Sequence, residues 1–574
     1  MRSTFAGLNT MVSGINTNQL SLDTTGHNIA NAATTGYSRQ SVDQTATLAQ
    51  QVDTVNGHML AGTGVAAAAI KRARNIYADK QYWSENSTKS YYETRQTNYD
   101  KIETIFNDTD NSGVLSELEN FYKAWQTLSS GASTSSNRVA VISDAESLID
   151  KIQTTATQVQ SQINAQYDDL STDLQKFNSL SKQVALLNKN IALTESAGAA
   201  ANDLRDQRDN LVDEMSQYVN LNVYEQPNGM YNIVSNGTSL VTGSSAMTLE
   251  LSDPINNPVY GINDFNIKVK EADIDFMPEN GMFKSLQDTI AEDKTFIDKM
   301  GNVAAFFLTT FNDLHQQGAG IDGSDDEIRA YTSQERSYSG PSFGLNFFGD
   351  DNTIYSWDDS IQSVVARKYS SITRSLSVPD DGTSEARVTV AGTPGAAVTA
   401  TSMKGMQLID ALCINTKITD VSGQNLIAAR VLTVTQDTSS TGAKVLDAYS
   451  VTPNGAGDGT NAVYLSNLFN LNQSGTQDTT TTRSIGVISL NSYYQSMTSK
   501  LGSDSENMDS KQQAQDDLIL QITNWRTSTA GVDWNEELTN MIKFQQGYSA
   551  CSRCLTTMDE MLDKLINSTG TVGR

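Results

Sequence analysis

Residues 541–565, which read MIKFQQGYSACSRCLTTMDEMLDKL, carry apolar side chains at alternating spacings of three and four residues. This repeat predicts a helix whose apolar stripe is buried on a partner helix in left-handed coiled-coil packing. The predicted interface positions on this helix are Met541, Phe544, Tyr548, Cys551, Leu555, Met558, Leu562 and Leu565. The partner helix must lie elsewhere in the sequence.

The N-terminal region carries a matching repeat, which is interrupted at Gln19 and Gly26. Its predicted interface positions are Phe5, Leu8, Val12, Ile15, Leu22 and Ile29. We therefore expect the N- and C-terminal helices to pair as a coiled coil. Two ordinary amphipathic helices packed on a local core would show a similar pattern, so the repeat alone leaves both interpretations open.

Helical periodicity also marks three internal segments, at residues 148–191, 204–219 and 286–314. The first of these is long enough to form a rod rather than part of a small globule. Between the second and third, residues 221–234 predict a β-hairpin that turns at Pro227-Asn228-Gly229. The chain therefore alternates between helical and β-rich regions.

The section from residue 318 to 483 is rich in Gly, Ser, Thr and Asp and is typical of strands and turns. Polar and apolar residues alternate in Arg430–Thr435 and in Lys444–Val451, on either side of Thr441-Gly442. Alternation on both sides of a turn predicts a half-buried antiparallel pair of strands.

Together these patterns predict an α+β multidomain fold, in which 574 residues form roughly three to five structural units. Terminal helices pair as a coiled coil, a long helical rod follows, and β-rich outer domains are inserted into it. The predicted domains are terminal core helices at 1–70 and 500–574, a helical rod domain at 71–220 and 285–317, a small β domain at 221–284, and a variable β-rich outer domain at 318–499.

Composition excludes several classes of partner. The formal net charge is -26, from 40 Lys and Arg against 66 Asp and Glu, which disfavours binding to nucleic acid or to anionic membranes. The longest apolar stretches, such as Val303–Leu308, fall far short of the ~20 residues that span a bilayer. The N-terminal stretch has no continuous apolar segment of the kind found in a cleaved secretory signal. A chain exported uncleaved by a specialised apparatus would show the same pattern.

The segment from Gly26 to Gln40, GHNIANAATTGYSRQ, resembles the N-terminal signature of flagellar axial proteins, the family of rod, hook and hook-associated subunits. Within it, the signature residues are Asn28, Asn31, Gly36, Tyr37 and Arg39. The Tyr-Ser-Arg-Gln continuation is most similar to hook-associated members. Thr35 departs from the family pattern, because Pro is common there and would fix the backbone of the turn.

Two further segments carry the same resemblance. Residues 202–209, NDLRDQRD, resemble the helical domain of hook-associated subunits, and residues 531–565 resemble their C-terminal helix. In that helix Trp534-Asn535 stands where Leu-Asp is usual before the paired glutamates. The β-rich section between about 320 and 480 resembles no family that we can name.

The resemblance implies a structural subunit at the junction between hook and filament that polymerises through its terminal helices after type III export. It implies four partners: further copies of the chain in a ring, the hook protein, a second hook-associated protein, and an export chaperone on the C-terminal helix. The implied location is outside the cell, on the bacterial flagellum. The implied role needs no cofactor and no catalysis.

One motif suggests a metal. Residues 108–119, DTDNSGVLSELE, match the spacing of a twelve-residue EF-hand loop, with Asp108, Asp110, Ser112 and Glu119 as candidate calcium ligands. No second such loop accompanies it. The alternative is a polar turn whose Asp and Ser side chains cap the following helix, and we favour that alternative.

Other candidate sites are weaker. Cys551 and Cys554 form a C-x-x-C pair, but they lie within a helical pattern, where a small buried thiol is the simpler interpretation. Residues 205–209 place opposite charges three and four apart, as on a solvated helix face. His27, His58 and His315 show no metal-ligand spacing. We therefore predict that the chain is not an enzyme.

Three other functions remain as alternatives. The flagellar hook subunit shares both terminal signatures, although the segment 202–209 and the long helix at 148–191 argue against it. A secreted calcium-dependent adhesin would carry repeats or several calcium loops. A hydrolase would require paired carboxylates in a cleft of the β-rich section, which a sequence does not reveal.

Overall fold

A computed structural model of the chain describes residues 6–54, 57–106, 113–321, 328–331, 336–338, 343–377, 386–438, 444–471, 484–486 and 488–568. Its N-terminal region is a helix followed by a two-stranded ribbon. The elements are α1 (Ala6–Asn31), β1 (Gln40–Ala46), β2 (Gln50–Thr54), β3 (Gly57–Ala61) and β4 (Val65–Arg72). Strand β1 pairs antiparallel with β4, β2 pairs antiparallel with β3, and the β1–β4 base of the ribbon packs on α1.

A bundle of long helices forms the helical body. Its helices are α2 (Ile76–Phe106), α3 (Val114–Ser130), α4 (Ser135–Ser196), α5 (Asn202–Tyr218), α6 (Met282–Phe306), α7 (Asn312–Gln316) and α11 (Leu490–Ala530). A π-helical turn at Phe307–Phe311 joins α6 to α7. Helix α4 packs against α2, α3, α5 and α6, and α11 runs along α2.

The helical periodicities locate these helices correctly but underestimate their length. The segment predicted at 148–191 lies inside α4, which has 62 residues and buries one continuous face from Val141 to Ile191. Helix α11 begins at Leu490, so it crosses the predicted domain boundary at 499/500. Because α11 packs on α2, most of it belongs to the helical body rather than to the terminal helices.

A small β module lies between α5 and α6. Its strands are β5 (Asn222–Glu225), β6 (Tyr231–Ser235), β7 (Thr238–Thr242), β8 (Ser245–Ala246), β9 (Leu249–Leu251), β10 (Ile255–Asn257), β11 (Ile262–Asp264), β12 (Ile267–Val269) and β13 (Ile274–Asp275). They form sheets in the orders β5-β6-β7-β8, β13-β12-β9 and β10-β11. The predicted hairpin is confirmed, since β5 and β6 flank a turn at Gly229, whose φ is +77°.

The outer section, residues 318–489, combines three three-stranded sheets with short helices. Its elements are β14 (Ile328–Tyr331), β15 (Arg336–Tyr338), β16 (Thr353–Asp358), β17 (Ser363–Tyr369), β18 (Ile372–Ser377), β19 (Arg387–Gly392), β20 (Val398–Met403), α8 (Met406–Ala411), α9 (Thr416–Thr419), a 3-10 turn (Gly423–Leu426), β21 (Leu432–Thr438), β22 (Lys444–Pro453) and α10 (Thr460–Asn467). The sheet orders are β14-β22-β21, β15-β18-β19 and β16-β17-β20.

The predicted strand pair around residues 430–451 is confirmed as β21 and β22, although its turn lies outside the described residues. The expectation of strands and turns alone is incomplete, because α8, α9 and α10 also lie in this section. Aromatic side chains join it to the helical body: Phe347 and Phe348 pack against Phe121 of α3 and Phe311 of the π-helical turn.

The last helix, α12 (Trp534–Ser568), leaves the helical body and packs along α1. The two terminal helices therefore lie against each other within one chain, which has the mixed helix and strand content of an α+β protein. Their packing as a coiled coil stays a prediction. None of the helices in the described residues is long and apolar enough to cross a membrane.

Candidate assembly site

Helices α1 and α12 run antiparallel. Gly14 faces Cys551, and a Cβ added at Gly14 would lie only 3.0 Å from the Cys551 Sγ. A Cβ added at Gly547 would lie 2.7 Å from Asn18 Oδ1. At the far end, a Cβ on Gly7 would overlap Met558. Glycine at these positions lets the two helices approach closely.

The predicted interface residues lie along this contact, but the single chain covers them incompletely. Those that are half-buried are Leu8, Ile15, Leu22, Ile29, Met541, Phe544, Cys551, Leu555, Met558 and Leu562. Those that remain exposed are Val12, Tyr548 and Leu565, at 41%, 39% and 55%. Phe5 lies outside the described residues. The apolar stripes therefore keep part of their surface exposed to solvent.

The fully buried face of α1 is polar, which the search for apolar repeats missed. Its members are Gly14, Thr17, Ser21, Thr24, Thr25 and Asn28. Each of the four hydroxyls donates to the carbonyl four residues earlier at 2.8–2.9 Å, so none is left unpaired. Part of the β ribbon covers this face, with Gln44 Nε2 donating to Ser21 Oγ at 3.0 Å. Small side chains at helical spacing were the available signal.

The signature residues form a hydrogen-bonded clamp at the end of α1. Asn28 Oδ1 accepts from Gln40 N–H at 2.9 Å and from Tyr37 OH at 2.8 Å. Its Nδ2 donates to Gln40 O at 2.8 Å and to Glu537 Oε2 at 3.0 Å. One buried amide thus fixes α1, the loop that follows it and the start of α12.

Arg39 ties the same loop to the break between α11 and α12. Its Nε donates to Glu537 Oε1 and its Nη2 to Glu536 Oε1, both at 2.7 Å. Its backbone N–H donates to Ala530 O, the last residue of α11, at 2.8 Å. Glu537 is 3% exposed in its side chain, whereas Glu536 is 56% exposed, so the two ion pairs differ in their shielding from solvent.

The other two signature residues shape the turn. Gly36 has a φ of +75°, and a Cβ there would collide with the Asn210 side chain of α5, so both its conformation and its space require glycine. Asn31 closes the end of α1, where its Oδ1 accepts from Thr34 Oγ1 at 3.3 Å and its Nδ2 donates to His27 O at 3.1 Å.

Electrostatics keep the Tyr37 phenol and the Arg39 guanidinium protonated. Burial raises the pKa of the Tyr37 phenol above its usual range, and the carboxylates of Asp203, Asp206 and Glu537 raise it further. The hydroxyl therefore remains a donor to Asn28. Burial works to lower the pKa of the Arg39 guanidinium, but its hydrogen bonds to Glu536 and Glu537 outweigh burial and raise that pKa.

The charged run at residues 205–209 is not the solvated helix face that its spacing suggested. Asp206, Arg208 and Asp209 are at most 5% exposed. Asp206 accepts from Ser38 N–H at 2.9 Å, and the Arg208 guanidinium lies 3.3 Å from the centre of the Tyr231 ring. The sequence spacing was misleading because the partners come from distant segments rather than from the same helix.

The candidate calcium site is mostly outside the described residues, which include neither Asp108 nor Asp110 nor Ser112. Glu119 lies in α3, where its carboxylate pairs with Lys123 Nζ at 3.3 Å. Gly113 precedes α3 and has no side chain that could cap it, whereas the Asp and Ser side chains expected to cap the helix lie outside the described residues, so that capping stays a prediction. Within the described ranges, no group of three or more His, Cys, Asp or Glu residues could hold a metal ion.

The three cysteines are free thiols. Cys551 lies against Gly14 and is half-buried, less than the small buried thiol that the helical stripe suggested, and Cys554 is exposed. His315 is fully buried, since its Nδ1 bonds Leu345 O at 2.8 Å and its Nε2 accepts from Ala428 N–H at 3.0 Å. These contacts give His315 a structural place in the core.

Comparison with known proteins bears directly on this site. A family model described as the flagellar hook-associated protein FlgK helical domain matches residues 99–327, and one described as the flagellar basal body rod FlgEFG protein C-terminal matches residues 526–568. Flagellar hook-associated protein 1 of Bacillus subtilis is 27% identical over the full length of both chains. The Escherichia coli protein of that name is 26% identical over 98% of this chain and 99% of its own.

Over essentially its whole length the chain is similar to hook-associated protein 1. A solved structure described as the flagellar hook junction protein FlgK from Burkholderia pseudomallei has the same fold, with a TM-score of 0.54 and 17% identity. The match covers 79% of this chain and all of that one. The second family model, at residues 526–568, covers the end of α11 and all of α12.

Proposed function

We propose that this chain is the structural subunit of the bacterial flagellum that joins hook to filament. The observation that carries the proposal is the end-to-end similarity to hook-associated protein 1, which includes the terminal helices as well as the helical body. The role is mechanical and involves no catalysis. Its place is outside the cell, after type III export of the chain.

Assembly proceeds through the terminal helices, which form a coiled coil within and between subunits. The half-buried stripes of α1 and α12 support this step, because a repeat near 3.5 residues suits a supercoiled seam better than an isolated helix pair. Full burial of one Leu is worth about 1.5–3 kcal/mol. Several such positions in each subunit of a ring give a cooperative junction from individually weak contacts.

The proposed partners are further copies of the chain in the ring, the hook protein on one side and a second hook-associated protein on the other. A fourth is an export chaperone that holds the end of α12 before export. Apolar side chains at that end support the chaperone contact, since Met561, Leu565 and Ile566 are 63%, 55% and 63% exposed. Large exposed apolar groups that cluster on one helix are typical of interaction sites.

The experiment places a charge in the seam. We expect Leu555→Asp to leave the main melting transition of the purified monomer nearly unchanged, because Leu555 is half-buried on a helix outside the body. In cells that lack the native copy, the variant should be released into the medium and leave hooks without filaments. Electron microscopy and immunoblotting of the medium measure both results.

The matched control is Thr557→Asp, which adds the same charge at an exposed position on the far side of α12. It should be exported like the wild type and retain filaments. If Leu555→Asp restores filaments as well as the control does, the terminal stripes do not form the subunit contacts and the proposal fails.

A further inference from the structure

Next to the clamp lies a network of buried and half-buried charges from β4 and the loop after it, α2, α5 and α11. Its members are Arg72 at the end of β4, Arg74 in the loop after it, Asp79 on α2, Asp206, Asp209 and Asp213 on α5, and Arg526 on α11. Every one of these side chains is at most 21% exposed. The network lies where the terminal helices meet the helical body.

Arg526 is the member that belongs to α11. Its Nε pairs with Asp79 Oδ1 at 2.9 Å, and its Nη2 pairs with Asp213 Oδ2 at 2.8 Å. Its guanidinium also lies 4.2 Å from the centre of the Tyr82 ring. One side chain therefore holds α11 to both α2 and α5, four residues before α11 ends at Ala530.

The remaining contacts anchor the two carboxylates that Arg526 binds. Arg74 Nε pairs with Asp79 Oδ2 at 2.8 Å, and Trp83 Nε1 donates to Asp213 Oδ1 at 2.6 Å. Arg74 also reaches Asp209 at 3.4 Å. Both partners of Arg526 are therefore also held through their other carboxylate oxygen, so side chains of the body determine the position of its guanidinium.

Arginine suits this position because its planar guanidinium presents donors in a fixed fork, whereas a lysine ammonium offers a point charge on a flexible stem. Burial also makes the arrangement sensitive, since removing one member of a buried ion network leaves the others uncompensated. Burial raises the pKa of Asp213, and the charges of Arg526 and Arg74 act in the opposite direction.

We propose that Arg526 is a positioning residue for assembly, which fixes the direction in which the α1–α12 pair leaves the helical body. The inference rests on the proposed function, because a fixed direction is what allows the terminal helices of neighbouring subunits to meet. Arg526 acts through the end of α11: Ala530 O accepts from Arg39 N–H, and Arg39 in turn holds the first turn of α12.

The test measures direction rather than stability. Spin labels are attached to cysteines introduced at the exposed residues Lys182 on α4 and Gln546 on α12. The full-length chain used for this has its three native cysteines replaced by serine. Electron paramagnetic resonance then gives the distribution of distances between the two helices. We expect Arg526→Gln to at least double the width of this distribution relative to the same chain with Arg526.

The matched control is Lys89→Gln, which removes the 2.9 Å ion pair between Lys89 of α2 and Asp516 of α11, farther than Arg526 from the end of α11. It should leave the distribution narrow. Arg526→Lys, which keeps the charge and loses the fork, should give an intermediate width. An Arg526→Gln distribution as narrow as the control, with the same centre, would overturn the proposal.

A neutral double variant, Arg526→Gln with Asp213→Asn, guards against misfolding from an unpaired charge. It too should give the broad distribution, and a narrow one would also overturn the proposal. Filament assembly separates the two levels of inference. If the wild-type gene does not restore filaments in cells that lack the native copy, the proposed function is wrong. A narrow distribution of spin-label distances in the Arg526 variants contradicts only the role of Arg526.

Discussion

The helical body and the terminal helix pair bury their side chains to very different degrees. Helix α4 buries a continuous apolar face that includes Ile152, Ile163 and Phe177, each 0% exposed. On α12, by contrast, Glu537 is the one fully buried side chain among its described residues. The body thus has a finished core of its own, whereas the pair has a stripe that is half covered. The difference supports the proposal that the body folds as a unit and that the pair completes its packing with other subunits.

The largest expected effect comes from opening a cavity in the body. Phe177 packs edge-on to Phe283 and lies beside Tyr218, so Phe177→Ala removes a ring from the centre of the core. We expect a loss of about 3–5 kcal/mol in the free energy of unfolding. Chemical denaturation measures it. Leu555→Ala in the seam should cost the monomer less than about 1 kcal/mol, given its partial exposure.

The comparison would break if these two substitutions destabilised the monomer equally. That result would mean that α12 is as tightly packed as α4 before assembly.

A second prediction concerns Asp293, which lies at the centre of the body. Burial raises its pKa to about 7, although hydrogen bonds from Asn98 and Gln166 work in the opposite direction. The folded state therefore holds a proton that the unfolded state releases, so this contribution to stability is present at low pH and is lost as pH rises through about 7. Relative to wild type, Asp293→Asn should gain about 1.4 kcal/mol per pH unit from about pH 4 to 7.

His315 changes the stability with pH in the direction opposite to Asp293. Burial lowers its pKa to about 4, so the unfolded state binds a proton that the folded state refuses. Its contribution is present above about pH 6.5 and is lost as pH falls toward 4. Relative to wild type, His315→Gln should therefore lose about 1.4 kcal/mol for each unit by which pH rises across that window.

Between about pH 4 and 6.5, Asp293 and His315 change the free energy of unfolding with pH in opposite directions. Replacing one of them therefore reveals the pH dependence that the other contributes. Urea titrations at four pH values across the window measure both. The exposed Asp168→Asn on α4 is the control and should follow wild type. Parallel curves for wild type and Asp293→Asn would show that Asp293 titrates alike in both states.

The smallest expected effects lie in the clamp. Arg39→Gln breaks ion pairs to Glu537, which is buried, and to Glu536, which is exposed. We expect it to loosen the start of α12 by about 1–2 kcal/mol, measured by hydrogen exchange of its first turns. Glu536→Gln should have an effect below about 1 kcal/mol, because an exposed ion pair contributes little. Equal effects would show that burial of Glu537 does not set the strength of the clamp.

Much of this architecture could be predicted from sequence, for local reasons. Apolar periodicity located α4 and α12, and the turn at Pro227-Asn228-Gly229 located a hairpin, because both signals come from neighbouring residues. The signature segment pointed to Asn28, Arg39 and the rest of the clamp through resemblance. What it did not provide was the identity of their partners.

The features that could not be predicted depend on contacts between segments far apart in the sequence, which no local pattern indicates. The hydroxyl face of α1 is buried because the β ribbon covers it, and the charged run of α5 is buried because Arg72 arrives from more than a hundred residues away. Spacing within one helix predicts neighbours on that helix alone. The start of α11 at Leu490 was missed although Leu490, Tyr494, Met497 and Leu501 are buried at helical spacing, because the rest of this helix is largely polar.

The most direct test of the account is hydrogen exchange of the wild-type chain, measured in the monomer and in purified hook–filament junctions. In the monomer, amides of α12 should exchange about 100-fold faster than those of α4 between residues 148 and 191, since partial coverage allows local opening. In the junction, the α12 amides should slow by a similar factor. Equal protection of α12 and α4 in the monomer, unchanged on assembly, would contradict the claim that the terminal helices complete their core between subunits.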